Sequence, residues 1–77
     1  MKRAIDSLRE ELEAIDWYKQ RADACENEEL REILLHNAEE EKEHAAMLLE
    51  WIRRKDHEFH DHMSTFLFQK GSILDQE

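Results

Sequence analysis

Hydrophobic residues recur every three to four positions along two long stretches of this chain, and this spacing predicts two amphipathic helices. The first helix is predicted from about Lys2 to Ala24, with an apolar face at Ile5, Leu8, Leu12, Ile15 and Ala22. The second is predicted from about Glu28 to Arg54 or beyond, with an apolar stripe at Leu30, Ile33, Leu34, Leu48, Trp51 and Ile52. No segment shows the alternation expected of a strand.

Only Cys25, Glu26 and Asn27 separate the two predicted helices, with Asn27 as the N-cap of the second. A connection this short makes the helices antiparallel neighbours. After Lys55 a weaker helical spacing continues through Leu67, which predicts a short third helix, or a bent continuation of the second, with Gly71 as its C-cap. We therefore predict an all-α fold, with a helical hairpin domain over residues 1–70 and a C-terminal tail over residues 71–77.

The composition supports long surface helices that need a partner. Of 77 residues, 40% are charged and 40% hydrophobic, with no proline and one glycine. A two-helix hairpin cannot bury its own apolar faces, so we expect an obligate oligomer, most simply a twofold dimer forming a four-helix bundle. The net charge of −9 argues against nucleic acid and anionic membranes as partners, although it also fits simple solubility. A single cysteine and a charged N-terminal segment point to the cytoplasm.

Two acidic residues and a histidine occupy the predicted apolar faces. At 100° per residue, Glu41 falls about 20° from the centre of the second helix's stripe and His44 about 40° on the other side. On the first helix, Glu11 is the only acidic residue within the row formed by Ala4, Leu8, Glu11, Ile15, Tyr18 and Ala22. Burying an unpaired charge costs many kcal/mol, and a bound metal offsets that cost.

One Glu and one Glu-x-x-His motif provide half of the ligands of a di-iron carboxylate site, because such bundles combine two of each. Two chains must therefore meet to complete one site, in which four carboxylates balance two divalent cations. Carboxylate and imidazole ligands suit iron, manganese or zinc. Two alternatives stay open: a chance Glu-x-x-His in an acidic helix, or pairing of the buried Glu and His with a basic residue of a partner. His57 and His60, one helical turn apart, offer a second metal pair or a solvated helix end.

Two segments resemble the encapsulated ferritins, which are short ferritin-like proteins housed inside encapsulin nanocompartments. They are Glu-Leu-Glu-Ala-Ile-Asp-Trp-Tyr over residues 11–18 and Glu-Glu-Lys-Glu-His-Ala-Ala-Met-Leu-Leu-Glu-Trp-Ile-Arg-Arg over residues 40–54. The resemblance implies a ferroxidase that oxidises Fe(II) to Fe(III) for mineral storage in the shell. It also implies helical hairpins paired around a di-iron centre, with two iron ions per dimer, and dimers assembled into a ring, commonly a decamer.

The resemblance also assigns roles to residues. Glu11, Glu41 and His44 match the iron ligands, and Tyr18 matches a tyrosine beside the centre. Glu10, Glu13 and Trp17 match a second site on the iron's entry route, for which calcium or another divalent cation is the expected occupant. From the residues alone, Trp17 lies on the polar face near Glu10 and Glu13, which indicates a contact surface between dimers.

The chain departs from the resemblance at its C-terminal end, where Gly71-Ser-Ile-Leu74 is only a faint match to the apolar targeting peptide of encapsulin cargo. Encapsulation is thus implied by resemblance and not by a visible signal. The alternative functions are a non-catalytic iron-binding or metal-stapled scaffold, and a plain helical interaction module.

Overall fold

The computed structural model describes all 77 residues and contains three α-helices and no strands. Helix α1 spans Lys2–Ala24, α2 spans Glu28–Lys55 and α3 spans His57–Phe66; a single 3₁₀ turn follows at Leu74–Gln76. The predicted hairpin of two long helices followed by a short third helix is therefore confirmed. None of the helices is both long enough and apolar enough to cross a membrane.

The turn between α1 and α2 forms where the sequence places it. The Asn27 side chain accepts a hydrogen bond from the backbone N–H of Leu30 at 2.9 Å, which satisfies one of the free donors at the start of α2. Glu28 and Glu29 follow in the first turn, where their charge complements the positive end of the helix dipole. The predicted N-cap is confirmed.

The two long helices meet along an inner seam that repeats every seven residues. Its members are spaced alternately by four and three positions, and all are buried or half-buried: Ala4, Leu8, Glu11, Ile15, Tyr18 and Ala22 on α1, and Leu34, Ala38, Glu41, Ala45, Leu48 and Ile52 on α2. Such spacing keeps one narrow face of each helix turned to its neighbour. Glu11 and Glu41 both occupy central positions of this seam.

The rest of the predicted apolar stripe is not covered by the chain itself. Leu30, Ile33, Met47 and Trp51 on α2 and Ile5 and Leu12 on α1 are each 43–57% exposed. Of the stripe predicted on α2, only Ile52 is buried, so Trp51 does not belong to the core of the single chain. Five of the 77 residues are buried, four of them alanines, and the hairpin therefore lacks a core of its own.

Helix α3 joins α2 at a sharp bend, called here the elbow and formed by Glu50, Arg53, Arg54, Asp56 and His60. Asp56 ends α2, and its side chain accepts from the backbone N–H of Phe59 at 2.9 Å to cap α3. Arg53 Nη1 donates to His60 Nδ1 at 2.7 Å, which links the two helices directly. The third helix is thus separate and not a continuation of α2.

The predicted C-cap of α3 is wrong. The helix ends at Phe66 with Leu67 as its C-cap, well before Gly71. Phe68, directly after the cap, adopts the left-handed conformation with φ of 61°, which glycine usually supplies at this place. Gly71 also has a positive φ, of 87°, but it lies in the tail, where Gln76 Nε2 donates to the carbonyl of Lys70 at 2.7 Å.

Candidate metal centre

Three side chains converge at the middle of the hairpin. Glu11 lies on α1, and Glu41 and His44 lie one turn apart on α2. His44 Nδ1 is 3.6 Å from Glu11 Oε2 and 3.5 Å from Glu41 Oε2. One donor atom from each residue lies within 4.8 Å of the other two, and this is the only group of three or more His, Cys, Asp and Glu residues placed to hold a metal ion.

The spacing of these atoms suits a shared metal ion. Ligand atoms bound at about 2.1 Å around a first-row metal lie about 3–3.5 Å from one another. The two distances from His44 are close to that range, so small side-chain rotations would complete the geometry. Two carboxylates and an imidazole also form the ligand set that iron, manganese and zinc accept. The residues present therefore fit a divalent transition metal.

No basic side chain neutralises this cluster. The ion pairs of Glu11 and Glu41 involve only His44, whereas other acids of α2 pair with lysine or arginine, as Glu39 does with Lys42 at 2.8 Å. The side chains of Glu11 and Glu41 are only 25% and 22% exposed. Two partly desolvated carboxylates close together repel each other, and a cation relieves that repulsion.

The cluster is open on one side. His44 is 46% exposed, and Ile33, Met47 and Trp51 of the same helix are also about half exposed. Three protein ligands on one side leave the opposite side of a bound metal for further ligands. Within one chain the cluster thus offers three ligands, and the prediction that a second chain completes the site remains a prediction.

Tyr18 lies one heptad after Glu11 in the inner seam and is half-buried. Its ring contacts Trp17 edge to face, with centroids 5.6 Å apart. Tyr18 is thus on the same face of α1 as Glu11, two turns away, while its neighbour Trp17 is turned to the solvent. Any role of Tyr18 in the chemistry of the cluster remains a prediction.

The residues predicted for the entry site lie on the outer surface of α1. Glu10 and Glu13 are exposed, and Trp17 is 47% exposed. The guanidinium of Arg21 stacks on the Trp17 ring, 3.2 Å from its centroid. A cation held by Glu10 and Glu13 would therefore share this surface with a fixed positive charge. Within one chain these residues do not form a metal-binding group.

The histidines near the elbow contact other side chains and belong to no group of three or more metal-binding residues. His60 Nδ1 accepts from Arg53, and the rings of His57 and His60 stack with centroids 6.3 Å apart. Sequence reasoning did not identify the Arg53–His60 hydrogen bond, although the spacing of seven residues across a capped bend was a usable signal. His36 is solvated and pairs with Glu40 on the next turn of α2, at 2.9 Å.

Comparison with known proteins supports the family resemblance and the fold. The family model described as EncFtn-like matches residues 1–70. An "Encapsulated ferritin-like protein" of Rhodospirillum rubrum is 59% identical over 71 residues, which are 92% of this chain and 51% of that protein. A "Ferritin-like protein" of Thermotoga maritima is 48% identical over 75 residues, covering 97% of this chain and 66% of its own length.

A third relative, "Encapsulin nanocompartment cargo protein EncC" of Myxococcus xanthus, is 44% identical over 52 residues, 68% of this chain and 40% of that protein. The chain thus spans about half to two thirds of the length of the first two relatives. A crystal structure of a Nitrosomonas europaea protein superimposes with a TM-score of 0.91 at 60% identity, covering 95% of this chain and 80% of that one.

Proposed function

This chain belongs to the EncFtn-like family of encapsulated ferritin-like proteins, and we propose that it is a ferroxidase that oxidises Fe(II) to Fe(III) at a di-iron centre between two subunits. The observation that carries the proposal is the cluster of Glu11, Glu41 and His44, which lies in the hairpin seam and lacks a basic partner. An iron-related role associated with encapsulins is common to the family; the oxidation and its centre are our inference.

The dimer is proposed because both the site and the core are incomplete in one chain. A compact monomer of 9.4 kDa exposes about 5,000 Å², whereas this chain exposes 6475 Å². The difference is of the size that one subunit buries in a stable interface. A twofold axis through the open side of the cluster would bring in a second set of Glu11, Glu41 and His44, and four carboxylates would balance two Fe(II).

In this dimer the two iron ions are the substrate, and dioxygen accepts their electrons. Glu11, Glu41 and His44 hold the metals close together in a bundle core from which most water is excluded. The negative charge of the four carboxylates favours Fe(III) over Fe(II) and so assists the loss of an electron. Tyr18, on the same face of α1, is proposed to orient ligands or water beside the centre.

The outer surface of α1 is proposed as the route by which iron arrives. Glu10 and Glu13 supply exposed carboxylate oxygens beside Trp17, and such ligands also accept calcium or another divalent cation. We expect this surface to become a site only where a second dimer contributes its own acids, as in a decameric ring. Arg21, stacked on Trp17, would limit how much positive charge collects there.

The names of two relatives support a proposal for the location. One related protein bears the name of an encapsulin nanocompartment cargo, and another is named an encapsulated ferritin-like protein. We propose that this chain works inside an encapsulin shell in the cytoplasm and hands Fe(III) to a mineral stored there, because an open ring of bundles has no closed cavity of its own. The hairpin domain of residues 1–70 would carry the activity, and residues 71–77 would lead away from it.

The test is Fe(III) formation, followed by ultraviolet absorbance in air after addition of two Fe(II) per dimer, for wild type, Glu41→Ala and Glu43→Ala. Glu43 is an exposed acid of the same helix and is the matched control. We expect fast oxidation by wild type and Glu43→Ala, and the protein-free rate for Glu41→Ala. If wild type is no faster than the protein-free solution, the ferroxidase proposal fails.

The same samples separate the alternative function, a metal-stapled scaffold without catalysis. The incomplete core favours that alternative as well, since metal would then serve mainly to join two subunits. Fe(II) binding and dimerisation that depend on Glu41, together with oxidation at the protein-free rate, would identify a scaffold. Dimerisation that is indifferent to Fe(II) and to Glu41 would indicate a plain interaction module.

A further inference from the structure

The exposed side of α2 contains a second heptad pattern, which we call the outer stripe. Its apolar members, Leu30, Ile33, Met47 and Trp51, are 43–57% exposed. Continuing the alternation of three and four residues between them places three polar residues in the middle of the stripe, and its full membership is Leu30, Ile33, Asn37, Glu40, His44, Met47 and Trp51. The stripe is thus apolar at both ends and polar at its centre.

Two of the central residues have unused hydrogen-bonding groups. Asn37 is half-buried, and none of the side-chain hydrogen bonds of the chain involves its amide. His44 meets both carboxylates through Nδ1, which leaves Nε2 without a partner. Glu40, in contrast, pairs with His36 at 2.9 Å. Asn37 and the Nε2 of His44 are therefore free to bond with groups outside the chain.

We propose that Asn37 is a positioning residue for the metal centre: its Oδ1 accepts a hydrogen bond from the Nε2–H of the partner subunit's His44. The inference rests on the proposed dimer. When two α2 helices pack antiparallel around a twofold axis between Glu40 and Glu41, residues whose numbers sum to 81 face each other. Leu30 then lies opposite the partner's Trp51, and Asn37 lies opposite the partner's His44.

In this register apolar residues face apolar residues, and the polar Asn37 faces the polar His44 of the partner subunit. Moving the axis to Glu41–Glu43, centred on Lys42, would place Asn37 opposite the partner's Met47, and Glu40 opposite the partner's His44. An amide facing a thioether in an interface loses its hydrogen bonds to water without replacement, which destabilises that arrangement. Glu40 is in addition already engaged by His36. The register with Asn37 at the partner's His44 leaves neither group unsatisfied.

A hydrogen bond between Asn37 and the partner's His44 would help that histidine to bind metal. A histidine that binds metal through Nδ1 keeps its proton on Nε2, and an acceptor for that proton fixes the tautomer and the ring orientation. A lone asparagine in an apolar helical interface also selects one register, because every other register leaves its amide unpaired. Asn37 would thus align the two subunits and orient the ligand in one contact.

The experiment compares Asn37→Leu, which removes the acceptor but keeps an apolar interface, with Asn37→Asp, which retains an acceptor. Glu40→Gln is the control from the same stripe. Co(II) replaces Fe(II), so that affinity is read from its visible absorption without oxidation, and sedimentation reports dimerisation. We expect Asn37→Leu to dimerise and to bind Co(II) about 10-fold more weakly. Asn37→Asp and Glu40→Gln should bind close to wild type.

A second readout observes the contact itself. In the Zn(II)-loaded protein with ¹⁵N-labelled histidine, we expect a slowly exchanging Nε2–H signal of His44 in wild type and Asn37→Asp, and its loss in Asn37→Leu. Wild-type Co(II) affinity with an unchanged signal in Asn37→Leu would overturn the inference. In Glu40→Leu, which removes the acceptor that the shifted register would use, loss of the His44 signal while Asn37→Leu retains it would overturn the inference in favour of that register. If Asn37→Leu does not dimerise, Asn37→Asp decides: a retained signal supports the contact, and a lost one overturns it.

Glu41→Ala, measured in parallel, distinguishes a failure of the Asn37 inference from a failure of the proposed metal centre. If Glu41→Ala binds Co(II) as wild type does, the proposed metal centre itself is wrong. If Glu41→Ala loses binding while Asn37→Leu keeps it, the centre stands and only the role of Asn37 fails.

Discussion

The centre of the hairpin and the elbow both contain Glu and His residues, but their carboxylates differ in whether basic side chains neutralise them. At the elbow, Glu50 accepts hydrogen bonds from Arg53 at 2.6 and 2.7 Å and from Arg54 at 2.6 Å. At the centre, Glu11 and Glu41 have only His44 nearby. The elbow is neutralised by the chain itself and needs no ligand. The centre retains negative charge, and this difference, more than the presence of Glu and His, makes it the candidate metal site.

The two histidines show the same contrast. His60 Nδ1 faces the permanently charged guanidinium of Arg53 and must accept a hydrogen bond from it, so this ring nitrogen is unavailable to a metal. His44 Nδ1 faces two carboxylates and is available to a cation. A count of metal-binding residue types along the sequence would rank both regions equally, and only the identity of the neighbours separates them.

The largest expected effect is a change in thermal stability when one carboxylate is removed, first from the hairpin centre and then from the elbow. Without metal, Glu41→Gln should raise the melting temperature, because it relieves repulsion with Glu11, while Glu50→Gln should lower it by breaking the Arg53 and Arg54 hydrogen bonds. Metal at 100 times its Kd should stabilise wild type by about 2.7 kcal/mol. We expect Glu50→Gln to gain as much and Glu41→Gln to gain nothing.

Thermal unfolding with and without Co(II) measures all three proteins, and Glu43→Gln controls for the loss of an exposed acid. Equal metal-induced stabilisation of Glu41→Gln and wild type would show that the centre is not the binding site. A melting temperature of Glu50→Gln equal to that of wild type would show that the elbow is not held by its ion pairs.

Acid should abolish the stabilisation that the ion pairs of Glu50 give to the elbow, over a defined pH range. Hydrogen bonds from Arg53 and then from Arg54 lower the pKa of Glu50 from 4.5 to about 2. Because the pKa is lower in the folded state, the stabilisation is fully present above pH 4.5 and is lost as the pH falls towards 2. The difference in melting temperature between wild type and Glu50→Gln should therefore be constant from pH 7 to 5 and shrink below pH 4.5. A constant difference down to pH 2 would contradict this origin.

The sequence predicted the hairpin well because its signals are local. Asn27, followed by two glutamates, marks the start of α2, and heptad spacing brings Glu11 and Glu41 into one seam. Both depend on residues a few positions apart on one helix. The proximity of Glu11, Glu41 and His44 follows once the helices are antiparallel, and the structure places them together; their role as iron ligands remains a proposal.

Other features depend on information that periodicity lacks. The stripe on α2 is wide enough for two neighbours, and the pattern alone does not say which half faces α1. Trp51 and Ile52 are adjacent in the sequence, yet Ile52 is buried while Trp51 is 43% exposed. The end of α3 was misplaced for a different reason: Gly71 is the usual residue for a left-handed position, but Phe68 adopts that conformation first.

The smallest expected effect concerns Phe68, which lies beside the elbow. Replacing it tests whether backbone strain at this residue lowers the stability of the protein. A left-handed conformation costs a residue with a side chain roughly 1–2 kcal/mol that glycine avoids. Glycine in turn gives the unfolded chain more freedom, which costs about 0.4–1 kcal/mol. Since the ring of Phe68 is fully exposed in the single chain, Phe68→Gly should stabilise the protein by a net ~0.5–1 kcal/mol.

Gly71→Ala is the matched opposite, because its φ is also positive and a new Cβ would meet only Gln76 Nε2, at 3.8 Å. It should destabilise the protein through backbone strain alone. Urea unfolding measures both variants, and Co(II) affinity should be unchanged in each, since neither residue is near the hairpin centre. If Phe68→Gly destabilises the protein instead, the ring must be covered when subunits assemble. The strained backbone at Phe68 would then serve to present an aromatic side chain to another subunit next to the elbow. The elbow would be an assembly surface, whereas the hairpin centre would be the proposed metal site.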